Sequence, residues 1–186
     1  MRRFAKKSIR PLKLDQGGSV AVEFALVAPI LLFALAGVID IGSAVYARLS
    51  LDAQVTAAAD YALLQPGPED QQNAENLATS LVQMLQGDAS GTAEVIVNNV
   101  ARAERTGSAV TTSSLPGDAG MCYCPSLSDG NMAWGASVGC GTSCATGDIA
   151  GQFLHISAST RHVTIFPGYA FIDGGMVNAR AVVRMQ

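Results

Sequence analysis

Gly18-Ser19-Val20-Ala21-Val22-Glu23-Phe24 is the stretch on which the reading of this chain turns. Six basic residues precede it: Arg2, Arg3, Lys6, Lys7, Arg10 and Lys13. After it, Phe24 to Ile39 carries no charge. Asp40 interrupts, and apolar character resumes from Ile41 to Ala47 before Arg48. Extended through Asp40, the run reaches the roughly 20 residues a helix needs to cross a bilayer. The basic residues on its N-terminal side place that end in the cytoplasm and the C-terminal bulk outside. The expectation is a single-pass chain in the inner (cytoplasmic) membrane, with its C-terminal domain periplasmic or extracellular.

Glu23 is the informative residue. A carboxylate in a membrane helix costs about 2.5–3.5 kcal/mol at the bilayer centre and less near the interface, so it persists where something pairs with it. If a peptidase cuts between Gly18 and Ser19, the new ammonium at Ser19 lies one helical turn from Glu23 and is a natural partner, on the same chain or a neighbour. A basic leader ending in Gly, then four residues, Glu and an aromatic, resembles the class III signal of type IV pilins. The continuation Ala21-Val22-Glu23-Phe24-Ala25-Leu26, through Pro29 to Ile39-Asp40-Ile41-Gly42, resembles more narrowly the TadE-like minor pseudopilins of tight-adherence (Flp-type) pilus systems. The resemblance runs from Gly17 to Ala62 and thins beyond it.

Net charge moves from −3 to −8 once residues 1–18 leave, taking six basic residues and Asp15 with them; no lysine remains. So acidic a surface argues against nucleic-acid binding, which needs clustered Lys and Arg. The basic leader is a topology signal. Cys122, Cys124, Cys140 and Cys144 all follow the apolar run, in a glycine-rich region. In an oxidising compartment they read as two disulfides with three possible connectivities. A Cys122–Cys124 bridge is strained, which favours links between the two clusters. The competing reading is a four-thiolate zinc site, but C-x-C with C-x3-C is not its usual spacing.

Taken in order, the chain divides into a leader (1–18), a membrane helix continuing as an amphipathic stalk (19–65), and an exported α+β domain (66–186) with a Cys/Gly-rich loop at 113–151. Ala21, Ala25 and Ala28 make a small-residue face in the membrane part, extended by Gly37; such faces let membrane helices approach closely, although alanine is also simply common in helices. Pro29 removes a backbone donor and is expected to kink or loosen the helix. Asp40 falls near the outer interface, either solvated or meeting a partner. In the stalk, Leu51, Val55, Ala58, Ala59 and Ala62 form one stripe and Asp52, Thr56 and Asp60 another. Pro66-Gly67-Pro68 ends it. A second helix is expected over Glu69–Gln86, with Ala74, Leu77, Ala78, Leu81, Val82 and Leu85 facing the core and Gly87 as its stop. Both helices are expected to pack on an antiparallel sheet. Its strands read as residues 93–97, paired across a turn near Thr106-Gly107 with 109–112, then 153–159, 162–166 with a turn at Pro167-Gly168, and 176–185 closing the sheet.

An enzyme is not indicated. His155 and His162 are seven apart, which matches no metal-ligand motif, and they read as strand residues that meet only if they lie on separate strands. No G-x-S-x-G, P-loop or dinucleotide fingerprint is present. Gly147-Asp148-Ile149-Ala150-Gly151 and Asp129-Gly130-Asn131 fit turns; the latter lacks the further ligands of a calcium loop. No cofactor and no metal are expected, and a von Willebrand-type adhesive domain would need more chain and an Asp-x-Ser-x-Ser motif.

The resemblance implies a minor pseudopilin serving assembly or initiation of the pilus, not its bulk. Its implied partners are a prepilin peptidase acting between Gly18 and Ser19, the assembly platform with its ATPase, other pilins and pseudopilins, and the lipid bilayer. Glu23, Phe24, Pro29 and Asp40 are its implied assembly residues, and incorporation in the pilus follows from the same comparison. Two other readings remain: an uncleaved, membrane-anchored envelope binding or scaffold protein, and a soluble exported domain released by signal peptidase at Val45-Tyr46-Ala47.

Overall fold

A computed structural model describes residues 18–85, 91–128, 131–164 and 175–185. Residues 1–17 of the leader, Gly87, Asp129-Gly130 and Pro167-Gly168 lie outside the described residues. The chain forms two compact units, residues 1–39 and 40–186.

In the first unit the described residues are all helical. They open α1 (Gly18–Leu63), whose 46 residues correspond to about 69 Å at 1.5 Å per residue. Its large apolar side chains are exposed around the circumference: Val22, Phe24, Ile30, Leu31, Phe33 and Val38 are each more than 60% exposed. No water-soluble helix is apolar all round without burial. The helix is assigned without a break through Pro29.

Among the described residues, the second unit holds the rest of α1, α2 (Gln71–Met84) and seven strands: β1 (Thr92–Val97), β2 (Ala101–Thr106), β3 (Ala109–Ser114), β4 (Ser126–Ser128), β5 (Asn131–Ala133), β6 (Phe153–Arg161) and β7 (Met176–Arg184). Five of them make an antiparallel sheet in the order β3-β2-β1-β6-β7; β4 and β5 pair separately. β1, β2 and β3 follow one another, and a long connection then returns β6 to the free side of β1, a Greek-key order. That connection is the cysteine-containing loop.

Alternation builds the core. Ala93, Val95 and Val97 of β1, Ala101 and Ala103 of β2, Leu154, Ile156 and Ala158 of β6, and Val177 and Ala179 of β7 are buried on one face of the sheet. α2 packs against β1, β2 and β3. It contributes Ala74, Ala78, Leu81 and Val82, with Leu85 just past its end and Leu77 partly buried. Full burial of a Leu or Ile contributes about 1.5–3 kcal/mol. The expected stalk stripe joins this core: Leu51, Val55, Ala58, Ala59 and Ala62 are all buried, while Thr56 and Asp60 are exposed. Asp70 caps α2, its Oδ1 accepting from Asn73 N at 2.7 Å.

The strand pairing differs from expectation in two places. Residues 109–112 do not pair with 93–97, because β2 intervenes and takes both neighbours. The reversal between β1 and β2 is at Asn98-Asn99, both with positive φ (46° and 54°), closed by Val100 N donating to Val97 O at 2.9 Å. The two positive φ values and this bond make a type I′ turn inside a three-residue loop, since Val97 stands opposite Ala101, and asparagine enters the left-handed region more easily than other non-glycine residues. Secondly, residues 162–164 are not a new strand. β6 runs on to Arg161, and β7 lies along it from Phe153↔Arg184 to Arg161↔Met176, so β7 is an edge strand.

Candidate functional site

Gly18 is the first residue of α1 and lies in open space, with nothing within 4 Å of a Cβ placed on it. The Gly18–Ser19 bond therefore sits in the first helical turn. Glu23 follows Ser19 by four residues, about one turn, and is exposed, as are Phe24 and Pro29. Between Gly18 and Asp40, Glu23 is the single charged residue. Among the described residues α1 is the one helix long and apolar enough to cross a membrane.

Asp40 is not a solvated position: it is 2% exposed and belongs to the second unit. One turn on, Ser43 Oγ donates to the Asp40 carbonyl at 2.8 Å and lies 3.4 Å from His162 Nε2. The hydroxyl proton is spent on the helix backbone, so His162 would have to be the donor in that contact. Nothing here activates a nucleophile.

The loop between β3 and β6 is held by covalent and polar ties in place of a core of its own. Its disulfides are Cys122–Cys140 and Cys124–Cys144, with Cα–Cα distances of 4.9 and 5.7 Å. Both link one cluster to the other. Cys122 exchanges backbone hydrogen bonds with Val138, and Tyr123 with Gly151. Tyr123 is buried, packs edge-on against Trp134 at 5.7 Å, and its hydroxyl accepts from Asp118 N. Two amides fasten this loop to the sheet. Asn98, fully buried in the hairpin turn, donates from Nδ2 to Met121 O at 2.9 Å and Ala119 O at 3.3 Å. Gln152 Nε2 reaches the same Ala119 carbonyl at 2.8 Å and Pro68 O at 3.3 Å. Sequence reasoning passed over both. For Asn98 the paired asparagine signals a turn but not the tie to the loop; for Gln152 there was no signal.

The sheet's other face is polar. Arg102 bridges Glu94, at 2.6 Å, and Glu104. A shallow hollow of about 360 Å³ there is lined by Glu94, Glu104, His155, Ser157, Asn178 and Arg180, among others. His155 is 8% exposed and its Nδ1 has no hydrogen-bond partner. Burial pushes its imidazole below the ordinary range; Glu94 opposes that shift and Arg180 adds to it. His162 stands seven residues on, just past the end of the same strand, about 23 Å away at strand rise, so the two histidines do not meet. No group of three or more His, Cys, Asp or Glu is placed to hold a metal ion among the described residues.

Residues 18–60 match the family model described as TadE-like protein. The match covers α1 and stops before the rest of the α+β domain. It is consistent with a TadE-like protein of tight-adherence pilus systems, a family that is in general not enzymatic, and α1 is compatible with a single-pass membrane anchor. Comparison with curated proteins and with solved structures returned no match.

Proposed function

We propose that this protein is a minor pseudopilin that takes part in assembly or initiation of a tight-adherence pilus, processed by a prepilin peptidase between Gly18 and Ser19. One observation carries the reading. In the part of the matched segment that precedes Asp40, the helix exposes apolar side chains all round and has a single charge, Glu23, placed one turn from Ser19. A lipid-facing carboxylate at that depth calls for a cation, and a freshly cut α-amino group supplies one. The bilayer stores the subunit by this helix. Removal of the leader frees Ser19 to pair with Glu23, on the same chain or a neighbour. The assembly platform and its ATPase then draw the subunit into contact with other pilins, with the C-terminal domain on the outer side.

N-terminal mass spectrometry of the protein taken from its native membranes tests this. A terminus at Ser19 is expected. An intact Met1 in a host with an active prepilin peptidase would replace the proposal with the anchored-scaffold reading. A terminus at Arg48 would replace it with a released soluble domain.

A further inference from the structure

The two disulfides interleave. In chain order the first cysteine pairs with the third and the second with the fourth, at separations of 18 and 20 residues. The alternative cross-cluster arrangement is nested, Cys122–Cys144 with Cys124–Cys140. Chain statistics scarcely distinguish the two. All four cross-cluster separations lie within a factor of about 1.4, and closure probability falls as roughly the −3/2 power of length, so single closures differ by less than about twofold. Once either first link has formed, the second closes over the same two short spacers, Cys122 to Cys124 and Cys140 to Cys144.

Apolar burial discriminates weakly as well. Cys122 is buried, but Cys140 is exposed, and residues 135–137, 139–143 and 145–149 are exposed or half-exposed. The backbone pairing that would set the register is short: isolated bridges join Cys122 with Val138, Tyr123 with Gly151 and Ser143 with Ile149, and β4 and β5 pair over three residues each between the two clusters. Neither chain statistics nor these few bonds exclude the nested pairing when a reduced loop oxidises. Each pairing consumes all four cysteines of the chain, so a nested molecule has no thiol of its own with which to escape.

We infer that this domain is a client of an external thiol catalyst, a thiol–disulfide isomerase or a small thiol in the compartment where it folds. The inference rests on the export proposed above. Its chemistry balances without net redox change. The external thiolate attacks Cys124 Sγ of the Cys124–Cys140 bridge, forming a mixed disulfide and releasing the Cys140 thiolate. Cys140 attacks Cys122 Sγ, making the native Cys122–Cys140 bridge and releasing Cys144. Cys144 attacks Cys124 Sγ, making the second native bridge and expelling the catalyst as its thiolate.

The test is oxidative refolding of the reduced full-length protein in detergent micelles. Ferricyanide alone is compared with ferricyanide followed by reduced and oxidised glutathione, and with ferricyanide followed by a catalytic amount of a C-x-x-C disulfide isomerase. Partial reduction, alkylation of the freed pair and fragmentation sequencing assign the bridges. With oxidant alone, roughly a quarter or more of the molecules should be nested. Both thiol arms should convert these to the native pairing, and turnover by the isomerase at a concentration where glutathione is ineffective would identify an enzyme as the source. Native pairing in nearly every molecule under oxidant alone would overturn the inference, as would nested molecules that neither thiol converts. Either result is independent of whether the leader is cut, so it leaves the pilus reading to its own experiment.

Discussion

Asn98→Ala is the most informative stability probe, because one side chain serves both the β1–β2 turn and the cysteine loop. Its NH2 group faces carbonyl oxygens of Ala119 and Met121, and its backbone sits at φ 46°. Alanine loses two neutral hydrogen bonds at about 1 kcal/mol each. It adds at least about 1 kcal/mol for a Cβ residue without asparagine's tolerance of the left-handed region. The Ala119 carbonyl keeps Gln152 Nε2, whereas the Met121 carbonyl loses its side-chain donor. The expected loss is about 3 kcal/mol. Asn98→Asp retains size and backbone preference but turns an anion toward two carbonyl oxygens, and should destabilise more than alanine. Asn98→Gly relieves the turn and should cost less than alanine. Urea unfolding of the oxidised protein in micelles measures all three. Fluorescence of Trp134, the single tryptophan, reports on the loop, and far-UV circular dichroism on the rest. An aspartate variant as stable as the parent would mean that the amide does not donate to the loop. Equal losses for alanine and glycine would remove the turn from the account.

Four further outcomes follow from the same structure. Gly117→Ala should lose about 2–3 kcal/mol, since its Cβ would overlap the Asn99 carbonyl and approach the Tyr123 hydroxyl to 2.7 Å; a variant with an unchanged urea midpoint would refute that contact. Asp70→Ala should cost about 1 kcal/mol by removing the cap of α2, read in the same unfolding experiment, with Asp70→Ser restoring most of it. Burial lowers the pKa of His155 in the fold, against the opposing pull of Glu94. Below its ordinary value of 6.5 the unfolded chain takes up a proton that the folded chain resists, so stability is full above that pH and falls as pH drops below it. The decline between pH 6.5 and 5 should be shallower in His155→Gln. Ala58→Glu, at a fully buried position, should prevent the domain from folding, seen as loss of protease resistance, while the exposed Thr56→Glu should not.

What the sequence made legible and what it hid have physical causes. α1 and its stripe were readable because burial and exposure there follow the helical period, and the cross-cluster disulfides because a C-x-C bridge is strained. β2 was hidden because Ala101-Arg102-Ala103-Glu104-Arg105-Thr106 resembles a charged loop. Its buried Ala101 and Ala103 are the smallest residues that still pack, and its outward Arg102 is paired with Glu94 on the neighbouring strand as well as with Glu104, the cross-strand pair being visible only once the register is known. The single long β6 was divided because Thr160 and Arg161 end the apolar alternation, yet β7 pairs with them through the backbone regardless of side chain. Asn98 and Gln152 act on partners about 20 to 80 residues away, and no local pattern encodes such a tie.

The helix also bears on which of the three functional readings the fold accommodates. The second unit begins at Asp40, and Asp40 is buried with Ser43 lying beside His162. A cut after Ala47 would leave Leu51, Val55, Ala58, Ala59 and Ala62 attached to the domain, so its core would survive. It would remove Asp40 and Ser43, and with them whatever the domain places against that turn of α1. A cut after Gly18 removes nothing from the second unit. It also places a new cation one turn from Glu23, the single charge of α1 between Gly18 and Asp40. Leader removal is therefore compatible with every buried contact in the domain and answers the cost of the membrane carboxylate, whereas release at Ala47 disturbs the first and makes the second irrelevant.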